Sequence, residues 1–123
     1  ISFFHNFLSY KKEISFDQRK KETTKIKKDY PDRLPIICEK SNTQVNAPNI
    51  SKRKFLVPTD MTIGQFIFSI RPKISITKDQ ALFLLVDDSF IPSTSSMMFQ
   101  IYQDYCHADG YLYITYMIES TFG

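Results

Sequence analysis

Residues 81–86 read ALFLLV, the longest unbroken apolar stretch in the chain. A strand that is apolar at every position must be covered on both faces. QALFLLVDDSFIP (80–92) therefore reads as an interior-type strand followed by a turn. The stretch is far shorter than the ~20 apolar residues a membrane-spanning helix needs. Its cover has to come from the rest of the chain.

Prolines and capping residues divide that rest into elements. RLPIICEK (33–40) reads as a buried strand, SNTQVNAPNIS (41–51) as a loop, and KRKFLVPTD (52–60) as a second strand closed by Pro58. Thr59 or Asp60 is placed to cap MTIGQFIFSIR, whose core face is Ile63, Phe66, Ile67 and Ile70, and Pro72 closes that helix. STSSMMFQIYQDYCHADG gives another capped helix with Met97 or Met98, Ile101 and Tyr105 inward. Tyr111–Met117 alternates as a final strand. Ahead of these, Ser15 can cap a helix that ends at Pro31, along which Phe16, Thr23, Ile26 and Tyr30 trace a thin apolar stripe. Phe3, Phe4, Phe7 and Leu8 fall at helical spacing, as a short amphipathic helix or an apolar arm. The order predicts an α+β roll, with the first and last strands side by side at the sheet centre and the helices packed on one face.

At 123 residues and 42% hydrophobic, the chain fits one domain with one core. Charge is uneven along it. Residues 1–54 hold 13 Lys and Arg against 6 Asp and Glu, a net +7, while the remainder is −4. Arg19, Lys20, Lys21, Lys25, Lys27 and Lys28 crowd the helix before the first strand. Such a surface suits an acidic partner, or is simply solvated. Cys38 and Cys106 have neither disulfide-framework nor metal-ligand spacing, and the N-terminus has no basic leader. The two read as free thiols of a soluble cytoplasmic chain.

Motifs for catalysis are sparse. The adjacent Cys106 and His107 are the residue types of a thiolate nucleophile, but no third group in the sequence is placed to orient them. Asp87-Asp88 is too small a cluster for a metal, and no phosphate-cradling glycine motif or cofactor motif occurs. No aromatic-interleaved basic strand marks a nucleic-acid surface, so no nucleic acid is expected. The features that remain favour binding. Lys52, Arg53, Lys54, Phe55, Leu56 and Val57 form a basic strand at the sheet edge, able to take up an extended peptide with acidic flanks. A charge-protected edge without a ligand would carry the same lysines.

YPDRLPIICEK, KRKFLVPTDMTIGQFIFSIRPKI, DGYLYITY and the terminal ESTFG closely resemble the ubiquitin-like autophagy modifiers of the GABARAP and light-chain-three type, from about Phe16 to Gly123. The resemblance implies a ubiquitin-like β-grasp preceded by two helices. Residues 1–15 would be an N-terminal extension or first helix, 16–118 the ubiquitin-like domain and 119–123 a conjugation tail. It also implies a protein without catalytic residues, metal or cofactor. A processing cysteine protease exposes the terminal glycine, an activating enzyme adenylates it, and a conjugating enzyme passes it to phosphatidylethanolamine. Gly123 would be that lipid-conjugation site, and the chain would move from cytoplasm to autophagosome membrane on lipidation.

Family members also bind aromatic-x-x-aliphatic motifs of receptors and adaptors. By resemblance the aromatic pocket maps to Glu22, Ile26, Pro35, Ile37, Lys54, Leu56 and Tyr111. The aliphatic pocket maps to Phe55, Val57, Pro58, Met61, Phe66 and Ser69, with Arg71 nearby. Ser69 stands where the family usually has an aliphatic residue, implying a shallower second pocket or a different side-chain preference. Met117-Ile118 replaces a small or polar pair, the 41–51 loop is about a residue longer, and residues 1–15 are longer and more apolar. The alternatives that keep the fold are a non-conjugated peptide-binding adaptor and a modifier attached to another protein.

Overall fold

A computed structural model describes residues 9–44 and 46–120. Gly123 and the segment holding Phe3, Phe4, Phe7 and Leu8 lie outside those residues.

A serine caps each of the first two described helices. Ser9 accepts from the Lys12 amide at the head of α1 (Tyr10–Glu13), and Ser15 accepts from the Gln18 amide at the head of α2 (Phe16–Asp29). Then come β1 (Arg33–Lys40), β2 (Lys54–Pro58), α3 (Ile63–Ile70) with a 3-10 turn over Arg71–Lys73, β3 (Gln80–Val86), α4 (Met98–Tyr105) and β4 (Leu112–Ser120). Thr62, rather than Thr59 or Asp60, caps α3: its hydroxyl accepts from the Gln65 amide while the Gln65 side chain returns to the Thr62 amide. α4 has no side-chain cap; the Met98 amide instead donates to the Met61 carbonyl at 2.8 Å.

The four strands lie in the order β2-β1-β4-β3. β1 and β2 form an antiparallel hairpin, β1 and β4 pair in parallel at the centre, and β3 pairs antiparallel with β4. The central placement of the first and last strands is as expected. The apolar run of β3 is not central: it forms an edge. Leu82, Leu84 and Val86 enter the main core, while Ala81 and Phe83 are half-buried and Leu85 is buried on the other face. Continuous apolarity here encodes burial on two faces, which an edge strand can also have.

Helices pack on both faces of the sheet, not on one. Ile36, Cys38, Leu112 and Ile114 point to the main core with Ile63, Phe66 and Ile70 of α3 and Met98 and Ile101 of α4. Their alternates Ile37, Tyr111 and Tyr113 make a second, small core with Tyr10 of α1, against which Ile14 packs. This explains why β1 reads as a buried run: it is covered twice. Of the expected α2 stripe Thr23 is buried, while Phe16 and Tyr30 are about half exposed, and α2 also buries Arg19. Tyr105 lies at the surface, its ring tilted against Phe90 with centroids 4.9 Å apart, while Met98 and Ile101 carry the inward face of α4.

Candidate functional site

The hairpin register decides which strand residues share a face. Pro35 lies opposite Leu56 and Ile37 opposite Lys54, so these four point together to the α2 side of the sheet. Tyr111 joins them from the residue before β4, two positions from Tyr113, which pairs with Ile37. Pro35, Ile37 and Tyr111 are buried and form a floor, and Glu22, Ile26, Lys54 and Leu56 stand above it, half-buried or exposed. Glu22 of α2 is tied to Tyr111 and Lys54 on this face, beside Pro35, Ile37 and Leu56, and Ile26 lies half-buried one turn further along α2.

Glu22 organises this junction. Its Oε1 accepts hydrogen bonds from the Tyr111 hydroxyl at 2.8 Å and from the Tyr10 hydroxyl, and the Lys54 ammonium stands 4.0 Å from Oε2. Burial alone would raise the Glu22 carboxyl, but the two phenol donors and Lys54 outweigh it and hold the group below the usual carboxylate range. The same arrangement, led by burial, pushes Tyr10 up to about 12 and Tyr111 higher still. Both phenols therefore remain donors at physiological pH. The Tyr10 ring meets Tyr111 edge-on at 5.7 Å, and the cations of Arg53 and Lys54 lie 5.1 and 5.5 Å from the Tyr10 ring centre.

Tyr10, Arg19, Asp109 and Gly110 are supporting residues that the sequence patterns do not reveal. Asp109 is almost fully buried; its carboxylate accepts from the Tyr111 amide at 2.9 Å and the Tyr113 hydroxyl at 2.5 Å, with the Arg19 guanidinium 3.4 Å away. Its carbonyl accepts from the Thr23 hydroxyl at 2.6 Å. Gly110 takes φ +90, and a Cβ there would lie 2.7 Å from the Thr23 Cβ. This loop therefore brings β4 close to α2 and sets the height of Tyr111. The one available sequence signal is the Asp109-Gly110 pair, which marks a tight turn.

The second set is divided between the opposite face of β2 and the α3 segment. Phe55 and Val57 alternate away from Leu56 and join the α3 side, where Phe55 meets Phe66 edge-on at 5.5 Å. Pro58 and Met61 continue from the strand and are half-buried. Ser69 is exposed, and its hydroxyl donates to the Phe66 carbonyl at 2.8 Å. The Arg71 guanidinium donates to the Thr77 and Gln80 carbonyls at 2.9 and 2.8 Å, bracing the approach to β3. Among the described residues β2 pairs only with β1, so its outer edge is open between the two sets.

The Cys-His pair does not assemble as a nucleophile. Both ring nitrogens of His107 are engaged, Nε2 by Asp87 and Nδ1 by Lys11, each at 2.6 Å. Cys106 is exposed and Cys38 is fully buried, its thiol pushed well up by burial. Among the described residues no His, Cys, Asp and Glu cluster could hold a metal, and no helix is long and apolar enough to cross a membrane.

Comparison with known proteins places this geometry. The family model described as autophagy protein Atg8, ubiquitin like, matches residues 18–123. This chain belongs to the Atg8 family. Autophagy-related protein 8 of Mycosarcoma maydis is 44% identical over 115 residues, covering 94% of this chain and 96% of that protein. Autophagy-related protein 8e of Arabidopsis thaliana is 44% identical over 114 residues, covering 93% and 92%. The crystal structure of Trypanosoma brucei ATG8 superposes with a TM-score of 0.85 at 38% identity, over 94% of this chain and 98% of that one. Plasmodium falciparum Atg8 in complex with a Plasmodium falciparum Atg3 peptide gives 0.81 at 36% identity, over 93% and 98%. The β-grasp with its two N-terminal helices is thus the Atg8 fold, and the chain is a ubiquitin-like protein of autophagy.

Proposed function

We propose that this Atg8 protein is conjugated through Gly123 to phosphatidylethanolamine on autophagosomal membranes, and that its β2 edge recruits receptors and adaptors carrying aromatic-x-x-aliphatic motifs. The observation that carries the binding half is the β2 edge left unpaired among the described residues, with Leu56 on one face and Phe55 and Val57 on the other. An extended peptide adds a strand by backbone hydrogen bonds, and its alternate side chains reach the two faces. The aromatic side chain stands over Pro35, Ile37 and Tyr111 beside Leu56, and the aliphatic one over Phe55, Val57 and Phe66. Lys52, Arg53 and Lys54 attract acidic flanks, an attraction that weakens with salt. The Atg3 peptide on the Plasmodium relative supports peptide capture by this fold.

The conjugation half is supported by a family match that runs to residue 123 and by the chemistry of the end itself. Glycine has no side chain to obstruct the carboxylate, so an activating enzyme can adenylate it and a conjugating enzyme can form the amide with the lipid amine. The catalytic groups belong to those enzymes and to the processing protease. A lipid with two acyl chains then holds the protein at the membrane, at about 0.8 kcal/mol per buried methylene.

Calorimetric titration with an acidic-flanked peptide of this motif tests the binding half. Leu56→Ala is expected to weaken binding by about 2 kcal/mol while leaving the fold intact, because Leu56 is 38% exposed in the free protein. Unchanged affinity would remove Leu56 from the site.

A further inference from the structure

The four-residue helix α1 is too short to hold itself, and polar contacts fasten much of it. Tyr10 bonds to Glu22 through its hydroxyl and to Glu39 through its amide at 2.9 Å, Glu13 pairs with Arg53, and Lys11 reaches His107. The last of these contacts has an unusual polarity. Lys11 Nζ is an ammonium and can only donate, so His107 Nδ1, 2.6 Å away, must accept. Asp87 Oδ1, 2.6 Å from Nε2, can only accept, so Nε2 carries the proton. The observed bonding therefore requires a neutral imidazole with its hydrogen on Nε2.

We propose that His107 is a proton-operated latch for α1. Protonation places a hydrogen on Nδ1, removes the lone pair that holds Lys11 and sets two cations against each other. Asp87 keeps the ring, because its bond to Nε2 becomes an ion pair when the imidazole is charged. Lys11 is the group that leaves. Tyr113 adds to the conflict: its ring lies 4.5 Å from the His107 ring and 5.0 Å from the Lys11 ammonium. The groups facing His107 are thus Asp87 from the turn after β3, Lys11 from α1 and Tyr113 from β4. Cys106 adjoins it in the chain, and Lys20 of α2 reaches the neighbouring Ala108 carbonyl at 3.4 Å. Charging the imidazole is thus the event that releases Lys11. Tyr10 is the next residue along, and its grip on Glu22 loosens with α1. The consequence for peptide capture rests on the reading of the β2 site given above.

Amide protection factors of Lys12, Glu13 and Ile14, measured by NMR from about pH 5 to about 8 together with the His107 ring resonances, test the latch. These amides donate to the Ser9 and Tyr10 carbonyls. Protection is expected to fall about two- to fivefold on acidification, with the midpoint of the His107 titration. Lys11→Met should show the lower protection at every pH, and His107→Gln should show no transition. Glu39→Gln keeps an acceptor for the Tyr10 amide and should retain the wild-type transition. Protection that stays constant while His107 titrates, or a transition that persists in His107→Gln, would overturn the latch. Peptide titrations at both pH extremes separate the two ideas. Release of α1 with no peptide binding at either pH would sink the peptide site and leave the latch standing.

Discussion

The Tyr111 hydroxyl donates to Glu22 Oε1 across 2.8 Å, tying the residue before the last strand to the middle of α2. It joins the two N-terminal helices to a β-grasp whose main core lies on the other side of the sheet. The same carboxylate serves Tyr10, so a single side chain of α2 is bonded both to α1 and to the residue before β4.

Tyr111→Phe keeps the buried ring and removes only the donor. A hydrogen bond to a charged group is worth about 1.5–3 kcal/mol, and Tyr10 and Lys54 remain as partners for Glu22, so a loss near the lower end, about 1.5 kcal/mol, is expected. Urea denaturation should show a lower midpoint with an unchanged slope.

Acid should act on this junction with a definite sign. Glu22 is held below its ordinary range in the fold, so its stabilising contribution is complete above the unfolded glutamate value, about 4.3, and is lost as pH falls through the lowered folded value. Glu39 behaves oppositely: burial raises it despite the Tyr10 amide and Arg53, so ionising it costs stability as pH rises through the raised value. Urea midpoints measured from about pH 3 to about 6 should therefore fall less steeply on the acid side in Glu22→Gln. In Glu39→Gln the penalty above the raised value should disappear.

Gly110→Ala meets two obstacles, a left-handed backbone at φ +90 and the Thr23 side chain at 2.7 Å. A loss of about 2 kcal/mol or more in thermal or urea unfolding is expected. Wild-type stability in this variant would contradict the close approach of β4 to α2.

Ser69 presents a hydroxyl bonded to its own helix where an apolar wall would bury more of a ligand. Ser69→Leu should tighten binding of a peptide with a small aliphatic residue at the second position by up to about 1 kcal/mol, with the aromatic position unaffected. Calorimetry with Val and Leu peptides reads the difference; equal affinities before and after the substitution would detach Ser69 from the second pocket.

Much of this was legible in the chain because periodicity reports burial directly. The span of β1, the Ser15 cap, the inward Ile63, Phe66 and Ile70, and the central pairing of first and last strands all follow from pattern and connection rules. Pattern was silent where polar groups carry the packing. Arg19 is buried in α2 because the Asp109 carboxylate receives it, and Thr23, though on the expected stripe, is held by a hydrogen bond to the Asp109 carbonyl. The apolar run of β3 reports its burial but not its edge position, since covering and pairing are separate properties of a strand. The two pocket sets came from resemblance. The hairpin register explains only why Pro35, Ile37, Lys54 and Leu56 face α2 while Phe55 and Val57 face α3.

The central claim, that Gly123 is the reactive end, has a direct test. Wild-type protein and a variant lacking Gly123 are incubated with the activating and conjugating enzymes of an Atg8 system and vesicles containing phosphatidylethanolamine, and intact mass is recorded. The wild type should gain the mass of one phosphatidylethanolamine less one water. The variant should gain nothing while binding peptide as before. A lipid adduct on the shortened chain, or none on the wild type under conditions that lipidate a relative, would contradict the account.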